Sequence, residues 1–175
     1  MSEYRELPVE ALQFSPFTQI SKDWMLITAE KEGKVNTMTA GWGGLGTMWR
    51  QPSAFIVVRQ SRFTKEFLDA SDHFSLTFFE DQYKEALAYL GKVSGRDEDK
   101  IAKTGLTVEK DQTPYFKEGN LVLICKKHYS TFLGPEGFTT PELDAQWYAD
   151  KDYHTLYIGE VEKVLIKEGL DHDGV

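Results

Sequence analysis

The sequence predicts a mainly β fold, a β-barrel with helical insertions, and three observations lead there. Strand-like apolar runs outnumber helical stretches along the 175 residues. The helices interrupt the strands without the strict alternation of a doubly wound sheet. The Gly-rich stretch from Gly41 to Gly46 also leaves no room for a crossover helix before the next apolar run, Ala54–Val58. A barrel accommodates all three.

Trp24–Ala29 reads as a strand, Glu32-Gly33 as a turn, and Val35–Trp42 as a second strand pairing with the first in a hairpin. Pro52 introduces Ala54–Val58, apolar on both faces and therefore expected at the centre of a sheet. From Arg62 to Ala70, apolar Phe63, Phe67 and Leu68 recur at helical spacing, and Ser61 is the expected N-cap. His73–Phe78 alternates as a half-buried strand does. Tyr83–Leu90 and Asp97–Lys103 read as short helices separated by Ser94-Gly95. Leu121–Cys125 and Thr155–Ile158 begin two later strands, with Gly159 placed to bulge the second. The stretch from Thr131 to Asp152, rich in Gly, Pro and acidic residues, reads as a long loop with one helical turn. Repeats, low-complexity tracts and linkers are absent, so a single domain over residues 1–175 is expected.

Acidic residues number 28 against 20 basic, a net charge of −8. No basic face is evident, which argues against nucleic acid or an anionic membrane as partner. An anionic ligand would need a local concentration of positive charge, and Arg59, Arg62 and Lys65 form the best one. Cys125 is the sole cysteine, so no internal disulfide can form, as suits a reducing cytoplasm. The opening Met-Ser-Glu-Tyr-Arg-Glu has no apolar signal region, and no run approaches membrane-spanning length. A cytoplasmic location is therefore expected.

Gly41, Gly43 and Gly46 match the G-x-G-x-x-G dinucleotide fingerprint, but that fingerprint must open a helix within a βαβ unit. Only Thr47–Gln51 separates these glycines from Pro52, so the fingerprint is rejected. Four glycines within six residues instead mark close approach by a ligand or by another backbone. Small residues beside Trp42 suit a flat ring held against peptide; a tight barrel corner with a core Trp suits the pattern too. Arg59-Gln60-Ser61-Arg62-Phe63-Thr64 places two arginines and two hydroxyls where a helix begins. Helix N-termini bind phosphate, and arginine matches phosphate with a bidentate fork. Plain capping by Ser61 with two solvated arginines is the bland alternative. A flat ring plus a phosphate together point to a flavin nucleotide.

His154 could orient a substrate or donate to reduced flavin, or serve only in the structure. His73, His128 and His172 share no metal-ligand spacing with it, so no metal is expected. Cys125 follows four apolar residues and reads as an inert core thiol. Asp97, Glu98 and Asp99 cap a helix or are solvated. Trp147 and Tyr148 read either as a dimer contact or as a lid.

Taken in order, Asn36-Thr37-Met38-Thr39-Ala40-Gly41-Trp42-Gly43, Arg59-x-Ser61-Arg62-x-Thr64, Ser94-Gly95-Arg96-Asp97 with Lys100, and His154-x-x-Tyr157-Ile158-Gly159-Glu160 resemble the flavin reductase-like family. These are the FMN-binding split-barrel proteins that include flavoredoxin. The resemblance runs from about Trp24 to Val164. It implies a six-stranded split barrel of Greek-key type, a homodimer, and one FMN per subunit near the dimer interface. It implies that backbone of Thr37–Trp42 faces the isoalloxazine ring and that Arg59, Ser61, Arg62 and Thr64 surround the phosphate. Asn36, Met38, Thr39, Ala40 and Trp42 belong to the same cofactor segment, and Ser94, Gly95, Arg96 and Lys100 would lie close by. Because the chain stops soon after the last strand, any C-terminal cover over the site is expected to be short or absent.

The activity expected is that of an NAD(P)H-dependent flavin reductase, an oxidoreductase passing hydride to flavin N5 and electrons onward to an acceptor, with the cofactor carrying the chemistry. No side-chain acid or base is required, and His154 is the best catalytic candidate. The alternative is an FMN-containing electron carrier, flavoredoxin-like, reduced by a protein partner with no nicotinamide site. A third reading is a split-barrel dimer that binds no flavin.

Overall fold

Alternating apolar residues give one sheet a face that needs covering, and here the sheet covers itself by curling. The computed structural model describes residues 3–170. Its strands are β1 (Tyr4–Leu7), β2 (Met25–Lys31), β3 (Lys34–Ala40), β4 (Gly43–Met48), β5 (Gln51–Arg59), β6 (His73–Phe78), β7 (Val108–Lys110), β8 (Pro114–Phe116), β9 (Leu121–Phe132) and β10 (His154–Lys167). Its helices are α1 (Pro16–Gln19), α2 (Phe63–Ala70), α3 (Lys84–Lys92), α4 (Lys100–Thr104) and α5 (Pro141–Trp147). The main sheet is antiparallel in the order β3-β2-β6-β9-β10-β5-β4, with β1 on the far half of β10. Met25, Ile27, Ile56, Leu76, Leu123 and Tyr157, from five of these strands, meet in one core cluster with Phe67 and Leu68 of α2. That is the interior of a barrel.

A second layer lies outside it. Leu26 points away from the barrel core and is buried under Leu87 and Leu90 of α3 and Phe116 of β8. The expected alternation of His73–Phe78 is therefore real, but its outer face is not solvated. Phe74, Leu76 and Phe78 enter the core, while Ser75 donates to the Pro114 carbonyl (2.7 Å) and Thr77 is buried as well.

The β2–β3 hairpin forms as read, turning at Glu32-Gly33. Its second strand stops at Ala40 rather than Trp42, and a new strand begins at Gly43. Gly43 holds φ +140, and a Cβ there would meet the Phe55 carbonyl oxygen at 2.4 Å, so only glycine fits. β4 pairs with β5 through a two-residue turn, Trp49-Arg50, both left-handed (φ 53 and 61). Hairpin geometry demands that conformation, although Asn-Gly is its usual occupant. The register shift between Ile158 and Gly159 leaves His128 of β9 as the extra residue, so the bulge expected at Gly159 lies on the neighbouring strand, and the extra residue of β10 itself is Glu162. The stretch 131–152 is more ordered than a loop: β9 runs to Phe132, and α5 occupies Pro141–Trp147. Asp99 caps α4, accepting from the Ala102 amide (3.1 Å), while Glu98 bonds Tyr89 and Lys103.

Candidate functional site

β3, the end of β5, the start of α2 and the start of β10 converge on one side of the barrel around two connected spaces. The larger is a chamber of about 620 Å³. Met38, Thr39, Ala40 and Gly41 form one wall; Trp42, Val57, Arg59, Trp147 and His154 form another. The smaller is a cleft of about 180 Å³ that shares Met38, Ser61 and Arg62 with the chamber. Asn36, Thr64, Ser94, Gly95 and Lys100 complete it.

Local sequence explains how these side chains are held. Asn36 Nδ2 donates to Thr64 Oγ1 (2.8 Å), tying β3 to α2. Gly95 lies so close to that amide that a Cβ would meet Asn36 Oδ1 at 2.2 Å. Thr39 Oγ1 donates to the Leu87 carbonyl, fixing α3 over β3. Trp42 remains 42% exposed, with Trp147 edge-on at 5.1 Å and His154 at 5.2 Å.

The cleft is strongly electropositive. Lys100 is 4% exposed and donates to the carbonyls of Leu90 (2.8 Å) and Val93 (2.9 Å). Arg62 donates to the Gly91 carbonyl (2.9 Å). Neither forms an ion pair among the described residues. Burial, with repulsion from Arg62 second, brings Lys100 down to about 8. Burial and then Arg59 lower Arg62, against a smaller opposing pull from Asp152. A buried lysine and a half-buried arginine side by side, neither ion-paired with a carboxylate, are an arrangement that an anion would stabilise.

Arg59 and Ser61 have a different fate. Arg59 donates to the carbonyls of Asp152 (2.8 Å) and Trp147 (3.0 Å), pairs with Asp150 at 3.6 Å, and lies 5.1 Å over the Tyr148 ring. The Ser61 amide donates to Asp152 Oδ1 (3.0 Å), and its hydroxyl donates to the other carboxylate oxygen. The expected capping by Ser61 is therefore corrected. The N-cap position is Arg62, with no side-chain cap, and the Ser61 hydroxyl is committed to a residue 91 positions away.

Two other expected residues do not line the spaces. Thr37 is fully buried, its Oγ1 donating to the Ile27 carbonyl (3.0 Å) and hydrogen-bonded to Thr28 across the hairpin (2.9 Å). Only its backbone is left for a ligand. Arg96 lies on the rim, donating to the Ser61 carbonyl (3.1 Å) and Glu66 (2.6 Å), with its guanidinium 4.7 Å over Phe63. Trp147, read from sequence as a dimer contact or a lid, lines the chamber; Ser21, Trp24 and Val57 line it too, and Lys92 and Val93 line the cleft, these five not read as cofactor contacts from sequence. Trp24 carried a local signal only in hindsight: its left-handed φ of 70 swings the indole against Gly41.

His154 is 7% exposed, and its Nδ1 lies 2.6 Å from the Tyr148 hydroxyl. Burial foremost, then Arg59, bring it down to about 4, with Asp152 opposing, so it is neutral at physiological pH. Cys125 is buried and burial pushes its thiol up, as an inert core thiol requires. No cluster among the described residues could hold a metal.

No curated protein matches the chain. Solved structures do. A flavoredoxin from Methanosarcina acetivorans is 23% identical with a TM-score of 0.69, covering 87% of this chain and 72% of its own. An FMN-binding domain of a flavin reductases-like enzyme from Shewanella baltica OS155 is 18% identical with a TM-score of 0.71, covering 98% and 81%. Flavin reductase PheA2 is 18% identical with a TM-score of 0.61, covering 83% and 80%. At such identities the likeness speaks for the split-barrel fold. A family model, the flavin reductase like domain, matches residues 17–174. With that span, the chain belongs to the flavin reductase-like family, whose cofactor is FMN.

Proposed function

We propose that residues 1–175 form a single FMN-binding domain that works as an NAD(P)H-dependent flavin reductase in the cytoplasm. The observation that carries the cofactor assignment is the unpaired cation pair Arg62 and Lys100 in a narrow cleft opening into a wide chamber. The residues present fit FMN. Arg62, Lys100, Thr64, Ser94 and the backbone at Gly95 would hold the phosphate, and Asn36 would keep Thr64 in place. The backbone of Thr37–Trp42 would face the isoalloxazine ring, with Met38, Thr39 and Ala40 beneath it and Trp42 at its edge. Arg59 and Ser61 would act one step back, through the loop they hold, and Arg96 would close the rim through Glu66.

When bound, FMN supplies the redox chemistry, accepting hydride at N5 from NAD(P)H and passing electrons to an acceptor. The protein contributes fixed amide dipoles that favour negative charge on the ring, at no reorganisation cost. Half-exposed Trp42 and Trp147 leave the chamber open on one side, where a second planar molecule can enter.

Support for a homodimer comes from the outer face of β5 and β10. Phe55 pairs with Ile158 and Val57 with Leu156, and these alternate with inward-facing Ile56 and Tyr157. Trp49 and Tyr129, each about half exposed, extend that apolar face, Tyr129 directly opposite Ile158, and Val57 also lines the chamber. A second copy covering this face would place the cofactor near the interface.

The test is the visible spectrum of the purified protein before and after FMN, then with NADH or NADPH. Flavin bands that bleach quickly with a nicotinamide support the reductase and identify the donor. Bands that persist until a partner reductase is added favour the flavoredoxin-like carrier, and absence of binding overturns the assignment.

A further inference from the structure

His154 opens β10 on the chamber wall, and its two ring nitrogens are in unlike surroundings. Nδ1 meets the Tyr148 hydroxyl at 2.6 Å, the rings edge to face at 84°. Nε2 has no hydrogen-bond partner among the described residues, and it is not one of their buried polar atoms left without a partner, so it reaches solvent through the chamber. The direction of the Tyr148 bond follows from counting protons. Tyr148 is 7% exposed, and among the described residues the imidazole is the one side chain its hydroxyl hydrogen-bonds. Were the imidazole to donate, the phenol hydrogen would sit in a buried wall with no acceptor; if the phenol donates, both groups are satisfied.

The phenol is itself held firmly. Its ring stacks on Tyr153 at 4.8 Å and 22°, and the Tyr153 hydroxyl donates to Asp144 (2.7 Å). Arg59 lies over its face and favours donation. The charged groups facing His154 are Arg59 and Arg62, which disfavour a second proton, and Asp152, which favours one. Burial tips the balance toward the neutral ring.

We propose that Tyr148 is a positioning residue that makes Nδ1 of His154 an acceptor, so that Nε2–H donates to the carbonyl oxygen of an uncharged planar substrate in the chamber. This rests on the flavin-chamber reading above. The exposed Trp42 indole beside His154, with the Trp147 indole edge-on to it, supplies stacking surface, and Arg59 is already occupied by loop carbonyls. The wall therefore offers one neutral donor and aromatic surface, which selects a conjugated carbonyl: an aldehyde or enone, or a nicotinamide carboxamide.

The first test needs no cofactor. Two-bond ¹⁵N correlations of His154 in the ligand-free protein should show the Nε2–H tautomer at neutral pH, and Tyr148→Phe should shift it toward a mixture. An Nδ1–H tautomer in the unmodified protein overturns the proposal, whether or not FMN binds. The second test titrates the FMN-loaded protein with benzaldehyde, nicotinamide and toluene, following the flavin spectrum. Tyr148→Phe should weaken the carbonyl probe that binds by about three- to tenfold, the worth of one hydrogen bond, and leave toluene unchanged. Which carbonyl probe binds distinguishes the two sources. Equal losses for toluene would mean that Tyr148 only packs, and would overturn the role assigned to it.

Discussion

Arg59 and Arg62 are three residues apart and end in opposite circumstances. Arg59 is saturated by its own chain: two loop carbonyls, Asp150, and the Tyr148 ring. Arg62 is half-buried beside Lys100, hydrogen-bonded to a carbonyl and ion-paired with no carboxylate among the described residues. A buried cation normally carries a carboxylate because an unpaired one costs several kcal/mol, roughly, even after relaxation. The difference teaches that two arginines close in sequence can differ in what the fold leaves them free to bind, and the proposed anion site rests on the one without a protein carboxylate paired to it.

The largest expected effect separates the two arginines. Arg62→Ala should weaken FMN binding by about 10- to 100-fold, the range of a charge-assisted hydrogen bond, while Arg59→Ala changes it far less. Fluorescence titration with FMN measures both, and equal losses would erase the comparison. Lys100 adds a pH signature. Its fold-depressed value of about 8 lies below its ordinary 10.5, so between these values the unfolded chain binds the proton and the folded chain does not. Stability of the ligand-free protein should therefore rise with pH across that window. FMN affinity should move the other way. It is flat below about 8 and falls by up to about tenfold per pH unit above it, because the anion needs the charged amine. Lys100→Met should abolish both trends, which calorimetry at a series of pH values resolves. The smallest effect belongs to Asp152, whose carboxylate stands at the start of α2 on the same side as the expected phosphate. Asp152→Asn removes that negative charge and should tighten FMN by about two- to fivefold. A weaker complex would mean that the loop anchor matters more than the charge.

Much of the barrel was legible because it is local. The β2–β3 hairpin and α2 follow from periodicity and turn chemistry within a few residues, whereas the bulge expected at Gly159 falls opposite it on β9, at His128. β4 escaped because Gly44 and Gly46 carry no alternation, and because its turn uses Trp49-Arg50 where Asn-Gly would have been recognised. β1, β7 and β8 are short strands whose existence depends on distant partners. The ordered motifs picked out segments that line the chamber and the cleft, yet they could not foretell that Asp152 would claim Ser61 across 91 positions. Nor does a string of residues reveal that Thr37 turns its hydroxyl to Thr28 while its neighbours line the chamber.

The unpartnered pair Arg62 and Lys100 has a consequence for the protein's lifetime. A ligand that binds only the native chain stabilises it in proportion to the logarithm of its concentration over Kd. Here it would also quench the repulsion that loosens the empty form. Protease digestion would then sort molecules by occupancy, clearing those without flavin first, and the amount of protein would follow the supply of FMN with no transcriptional control.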